Sequence, residues 1–267
     1  MGLFDRIFRR PTAPSTDQPD APSEPAPAAA DADPAGPPDG GASPAPDASQ
    51  DNPHTAAVQR AVDAYWDGIG VSDPDRISYL INPMFTGAPR WPGIRQSYRV
   101  VRTPQTLVLA SDGLSDPDVD TDELTPGFGC EVFLEAPDLV GAEFAELRAS
   151  WQFSLVEQLA MNVAHLGGIS DRLEQHGVLS MELPLGDAAP PELLSPQGTV
   201  GVLLGMAVPG RALRVDTPGG PVDLVAVTVI GPDELGRLVG GGAEARRALV
   251  EQRLASGVGH LSTPARR

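Results

Sequence analysis

The acidic segment 116–123, Asp-Pro-Asp-Val-Asp-Thr-Asp-Glu, has residue types and spacing typical of a calcium loop. Asp116, Asp118 and Asp120 match positions 1, 3 and 5 of an EF-hand, where carboxylate oxygens bind the cation. The pattern then departs from that site: Thr121 occupies the position of the turn glycine, and a glycine stands where the bidentate glutamate belongs. These departures favour a solvated acidic loop, or one that recognises a basic partner. No metal or other cofactor is assigned.

Nucleophilic chemistry would fall to the single cysteine of the chain. Cys130 lies on a predicted strand, where a small buried hydrophobic residue is the default. As a nucleophile it would need a nearby histidine base. The four histidines are dispersed, and a favourable position near a helix end accounts for His165. The nucleophile-elbow, P-loop, dinucleotide-binding and zinc-protease motifs are absent. No catalytic residue is therefore assigned, and an unrecognised enzyme remains as an alternative.

Hydrophobic spacing and turn residues predict the elements that would position these groups. An apolar face predicts a first helix from His54 to about Gly68; it comprises Val58, Ala61, Val62, Tyr65 and Trp66. Ser154 and Glu157 form a capping-box pattern, which predicts that a second helix begins there and ends before Gly167.

Short β-like runs surround the second helix. They are Tyr98 to Val101, Thr106 to Ala110, Cys130 to Glu135, Val178 to Leu183, Thr199 to Leu204, Ala212 to Asp216 and Val222 to Ile230. Gly231-Pro232 predicts another helix start, and a last helix is predicted from about Ala243 to Ala255. Helices scattered among short strands, without regular alternation, predict the α+β class: one domain with a mixed sheet and packed helices.

The charge balance indicates which partners this chain suits. The formal net charge is −17, and all 19 basic residues are arginine. Neutralising phosphates requires clustered basic residues, so a nucleic-acid partner is excluded. Acidity favours a basic protein partner, although added solubility is the simpler alternative. A lone cysteine forms no intramolecular disulfide, which fits a cytoplasmic protein.

Composition divides the chain into four parts. Residues 1–10 form a short amphipathic segment, the one part expected to contact a membrane, since no stretch is long and apolar enough to span one. Residues 11–53 are rich in Pro, Ala and Asp and are expected to be a disordered linker. The domain is predicted over 54–256, followed by a flexible C-terminal tail over 257–267.

Four stretches occur in the order that is typical of suppressor of fused domains. They are Leu109-Ala-Ser-Asp-Gly-Leu-Ser-Asp-Pro117, Pro126-Gly-Phe-Gly-Cys-Glu-Val-Phe133, Trp151 before the second helix, and Thr217-Pro-Gly-Gly-Pro-Val222 running on to Leu235. The chain therefore resembles a bacterial member of the suppressor of fused domain family over roughly residues 56 to 250. The Tyr-Gly that often follows the first motif is absent.

The resemblance implies an α+β binding domain without catalytic activity. Animal members grip an extended peptide by adding it as a strand, helped by acidic side chains, and bacterial relatives resemble immunity proteins that neutralise toxins. Asp112, Asp116 and Glu131 are the candidate partner-binding residues; the alternative for Asp116 and Glu131 is a solvated surface acid. The leading hypothesis is a non-catalytic protein-binding domain, with immunity-type inhibition of a basic partner as its specific form. A membrane-adjacent scaffold tethered through residues 1–10 is the other alternative.

Overall fold

The computed structural model describes residues 53–121 and 123–263. Its helices α1 to α5 span Pro53–Asp67, Phe144–Arg148, Trp151–Leu166, Ile169–His176 and Pro232–Ala255. Its strands β1 to β9 span Val71–Ser72, Ile77–Ser78, Ser97–Arg102, Leu107–Asp112, Cys130–Ala136, Leu179–Leu183, Val200–Leu204, Arg214–Thr217 and Gly220–Ile230. The predictions for residues 1–52 and for 264–267 lie outside the described residues.

The strands form one mixed sheet in the order β1-β3-β4-β5-β9-β7-β6, with β2 paired to β3 and β8 paired to β9. Neighbours are antiparallel except for β5 and β9, which run parallel in the register Cys130↔Asp223 to Phe133↔Ala226. The predicted α+β class with a mixed sheet is thus confirmed. No described helix is long and apolar enough to cross a membrane.

Helices cover both faces of the central strands. Val132 and Leu134 of β5 pack in one core with Leu159 of α3. Phe133 points to the other core, where Trp66 of α1 meets its ring edge-on at a centroid distance of 5.5 Å. Because both faces are covered, every residue of β5 is buried. Its side chains thus alternate between the two cores, and the strand predicted from Cys130 to Glu135 is confirmed.

Helix α3 begins one turn earlier than the sequence pattern predicted. Ser150, with extended backbone angles, accepts a hydrogen bond from the Phe153 amide at 3.1 Å and is the N-cap. Ser154 instead lies inside the helix and donates its hydroxyl to the Ser150 carbonyl. The predicted capping box at Ser154 is therefore wrong, because another serine four residues earlier takes the capping position. The predicted end at Gly167 is confirmed.

Helix α5 packs beside β7 through Leu235, Leu238 and Leu249. The backbone of Gly242 is non-helical, with φ 57° and ψ −142°, so the helix breaks there. This break separates the two helical segments that the sequence predicted.

Candidate functional site

The two glycine-containing motifs meet at one end of β4 and β5. The amide of Phe128 donates to the carbonyl of Leu114 at 2.8 Å. Gly127 has φ 57°, and a Cβ there would lie 2.3 Å from the Asp116 carbonyl oxygen. Only glycine allows this approach, since a side chain would collide with the backbone of the first motif. The motif residues therefore build the junction between a strand end and a loop.

Glu131 is the hydrogen-bond acceptor at the centre of this junction. Its carboxylate accepts from the amides of Gly113 at 3.1 Å and Ser115 at 2.9 Å. The hydroxyls of Ser111 and Ser115 also donate to it. Burial, and after it the nearby charge of Asp112, raises the pKa of the Glu131 carboxyl. The side chain thus orients the loop that follows β4 and does not face solvent.

Asp112 lies among three guanidinium groups. Arg76 and Arg95 each contact it at 2.8 Å, and Arg99 contacts it at 3.0 Å. Burial raises the pKa of the Asp112 carboxyl, but the charges of these arginines outweigh it and hold the pKa well below its usual range. Arg95 also binds Asp116 in a bidentate manner, at 2.9 and 2.7 Å. We call Arg76, Arg95, Arg99, Asp112 and Asp116 the buried ion cluster.

The structure places the three candidate partner-binding residues inside the domain, so the alternative of a solvated surface acid is wrong for Asp116 and Glu131. Asp112, Asp116 and Glu131 are only 2%, 1% and 1% exposed, so they do not form an exposed acidic patch. The reason is that each carboxylate has intramolecular donors that offset its loss of water. A contribution of these residues to partner binding stays a prediction. Amide substitutions would first disturb the domain itself.

The carboxylates of the calcium-like loop do not converge on one point. Asp116 faces Arg95, whereas Asp118 and Asp120 both contact Arg90 on the surface. Among the residues that the structure describes, no group of three or more His, Cys, Asp or Glu side chains is placed to hold a metal ion.

Cys130 is fully buried, in the same core as residues of α3. Burial, and after it the charges of Glu131 and Asp223, raises the pKa of its thiol well above the usual range. A thiol that stays protonated at neutral pH is a poor nucleophile. This environment matches the interpretation of Cys130 as a small core residue.

A different feature lies at the other end of β5, where β5 and β9 separate beyond Phe133 and Ala226. The residue between them is Ser262, which is fully buried. Its amide donates to the Glu135 carbonyl at 2.9 Å. Its hydroxyl accepts from the Val229 amide at 3.0 Å and donates to the Val227 carbonyl at 3.2 Å. We call this opening the β5–β9 gap.

The side chain of Glu135 closes one face of the gap. Arg211 binds it in a bidentate manner at 2.6 and 3.0 Å, and Nε2 of His260 lies 2.9 Å from Oε2. The Thr106 hydroxyl also donates to it. Burial raises the pKa of Glu135, but the hydrogen bonds from His260, Arg211 and Thr106 outweigh it and lower the pKa to about 2.

The C-terminal segment is therefore not a free tail over its described part. His260 is 7% exposed and Ser262 is fully buried, both held by strands far away in sequence. The predicted flexible tail from residue 257 is wrong for these residues, because the gap offers hydrogen-bonding partners that the local sequence does not reveal. Thr263 is exposed.

We expect the hydrogen bonds of Glu135 to make the free energy of unfolding depend on pH. A folded-state pKa of about 2, below the ordinary value of 4.5, means that the carboxylate stabilises the fold above about pH 4.5. This stabilisation is lost as the pH falls from there towards 2. Urea unfolding across this range should show a stability difference between the wild type and Glu135→Gln that shrinks with falling pH. The exposed control Glu251→Gln should show none; a constant Glu135→Gln difference would contradict the lowered pKa.

Sequence reasoning missed Glu135, His260 and Ser262 as site residues. Glu135 was visible only as a polar position on an alternating strand. Its partners Arg211 and His260 are 76 and 125 positions away, so no local spacing connects them. The one available signal was an acidic residue on a strand whose residues are mostly apolar.

No protein-family model matches the chain, and no curated protein does. Among solved structures, the chain is similar to the crystal structure of the Sufu–Fu complex, with 14% identity and a TM-score of 0.49, over 80% of this chain and 91% of that chain. It is also similar to the crystal structure of Drosophila Suppressor of Fused, with 16% identity and a TM-score of 0.42. That match covers 70% of this chain and 44% of the other. Both of these structures are of suppressor of fused, the family that the motifs around Gly113 and Gly127 resemble.

Proposed function

We propose that this chain is a non-catalytic protein-binding domain that takes an extended segment of its partner into the β5–β9 gap. The observation that carries the proposal is the gap itself. Two neighbouring strands of a continuous sheet diverge, and the backbone groups between them bind a third segment, at Ser262. An added strand gains affinity from such main-chain groups and specificity from the side chains around them.

The groups that face the gap would suit an extended peptide. The Glu135 carbonyl, the Val227 carbonyl and the Val229 amide all point between the strands, where their hydrogen bonds are made to Ser262 and not to a ladder. Buried backbone groups must be paired, so an occupant of the gap has to supply both a donor and an acceptor. A peptide backbone carries both.

The charge of the chain supports a basic partner. A net charge of −17 attracts a basic protein at long range and speeds the encounter, which is the property that an immunity-type inhibitor in the cytoplasm needs. We extend the proposal to this role. Asp112, Asp116 and Glu131 lie at the opposite end of β5 from the gap, so they would act on binding only indirectly, by fixing the loop after β4 and the arginines of the buried ion cluster.

A photo-crosslinking experiment tests the location. The full chain carries a photoreactive amino acid in place of Ala212, which is exposed and follows Arg211 at the rim of the gap. The matched control carries it in place of Ser180 on β6, an edge strand of the sheet. Both are irradiated in native lysate at low and high salt.

We expect a basic protein to crosslink at position 212 when irradiated at low salt. At high salt the complex should dissociate before irradiation, so the crosslink should be lost. Such a result supports the gap and the electrostatic attraction together. Crosslinking at position 180 alone would place the partner on the open sheet edge and overturn the proposed site. An acidic partner would overturn the electrostatic part.

A further inference from the structure

The segment that fills the gap belongs to this chain, and it is not a strand. After α5 ends at Ala255, the backbone turns through Gly257 and Gly259, with φ 74° and 57°. The Leu261 amide donates to the Val258 carbonyl, as in a local turn. The segment therefore meets β9 through the side-chain hydroxyl of Ser262 and not through a ladder of backbone hydrogen bonds.

Two of its residues make the contacts that a bound peptide would make. Ser262 bridges the two strands, as described above. The carbonyl of His260 accepts from the Thr228 hydroxyl at 3.2 Å, while its ring lies against Glu135 and its centroid is 6.5 Å from that of Phe133. These contacts supply hydrogen-bond partners to the backbone groups that face the gap and to the buried carboxylate of Glu135.

The remaining support for the segment comes from the helix that precedes it. Arg253 donates from Nε to the Gly259 carbonyl at 3.1 Å and from Nη2 to the Leu261 carbonyl at 3.0 Å. Arg253 in turn pairs with Glu234 on the first turn of α5, at 3.6 Å. Arg253 thus holds two carbonyls of the segment from α5, and one short turn joins the segment to that helix.

Departure of the segment would leave the sheet connected. β5 still pairs with β9 from Cys130 to Phe133, and it still pairs with β4 along its length from Phe133 to Ala136. The ladder between β7 and β9 also does not involve the segment. The sheet does not need the segment for its own continuity.

We propose that Val258–Ser262 is an intramolecular plug: it occupies the β5–β9 gap as a displaceable ligand, and the partner binds by taking its place. This inference rests on the proposed function, since it concerns regulation of the same site. An incoming segment must replace the imidazole beside Glu135 and the hydroxyl between Val227 and Val229. The plug thus specifies the chemistry of a competing segment: an extended peptide with a hydrogen-bond donor for Glu135 and a donor and acceptor two residues further on.

A cleavable chain tests the plug after the protein has folded intact. A protease recognition sequence is inserted after Gly257, where Gly257 and Val258 are both exposed. The probe is a fluorescein-labelled peptide with the sequence of residues 256–267, and its binding is measured by fluorescence anisotropy. A scrambled peptide, and peptides with the changes His260→Ala and Ser262→Ala, are the controls.

We expect the cleaved chain to bind the labelled peptide at least about tenfold more tightly than the intact chain, because the intact site is occupied for most of the time. Both alanine peptides should bind more weakly than the wild-type peptide. Equal binding to intact and cleaved chains, or no exchange with a cleaved chain that remains folded, would overturn the proposal. Unfolding upon cleavage would also overturn it, since the segment would then be an integral part of the core.

The peptide readout needs no partner, so it separates the plug from the proposed function. Cleavage should also increase partner crosslinking at position 212. If the labelled peptide exchanges but the partner crosslinks only at position 180, the gap is a peptide site that this partner does not use. The proposed function then fails while the peptide result stands.

Discussion

Replacing Asp112 with alanine should lower the free energy of unfolding by about 3–5 kcal/mol, the usual cost of removing one partner of a buried ion pair. Asp112 contacts Arg76, Arg95 and Arg99 together. Arg99 is 1% exposed, and Nε and Nη1 of this side chain already lack a hydrogen-bond partner. Without Asp112, its buried charge would be left to Asp63 alone.

Urea unfolding followed by tryptophan fluorescence measures this loss. The matched control is Asp120→Ala, which also removes a carboxylate paired with an arginine, but on an exposed loop. Because exposed pairs contribute little, the control should unfold with the wild-type midpoint. Equal losses in the two variants would show that the buried ion cluster is not a centre of stability.

The second large effect is expected for Gly127→Ala, which should cost about 3–4 kcal/mol through backbone strain and overpacking. The new Cβ would lie 2.3 Å from the Asp116 carbonyl oxygen and 2.6 Å from that of Leu114. Neither oxygen can move freely, since both belong to the loop held by Glu131. The loop and β5 would have to separate.

Gly129→Ala is a close control, because Gly129 also has a positive φ, of 68°, but nothing lies within 4 Å of its Cβ position. Its free energy of unfolding should fall by only roughly 1–2 kcal/mol, the cost of placing alanine in the left-handed region. Comparing the thermal stability of the two variants separates the cost of backbone strain, which both share, from the cost of the steric collision at Gly127. A Gly127→Ala variant no less stable than Gly129→Ala would contradict the close approach of the two motifs.

Secondary-structure features that are set by residues close together in the sequence were predictable. The alternation of β5 and the glycine that ends α3 are both local signals. The start of α3 was not, because Ser150 and Ser154 both fit a capping position and only the backbone geometry distinguishes them. The motifs identified the right loops, but they did not reveal that the two loops pack against each other and share hydrogen bonds.

The candidate site was less predictable because its contacts are long-range. The resemblance made Asp112 and Asp116 candidate partner-binding residues, and acidic residues are ordinarily found on the surface. Their burial depends on Arg95 and Arg99, which neutralise them from the neighbouring strand and the segment before it. No pattern within the C-terminal segment indicates that Ser262 fits between two strands.

The parallel pairing of β5 with β9 also bears on how the chain reaches its fold. Strands β3, β4 and β5 are consecutive and antiparallel, so they can form early from local contacts. The partners Cys130 and Asp223 lie roughly ninety residues apart, and closing so long a loop slows the pairing step. Until β9 arrives, the edge of β5 is open to pairing with other chains. Joining the two halves of the sheet is therefore expected to limit the folding rate, and His260 and Ser262 can settle only afterwards.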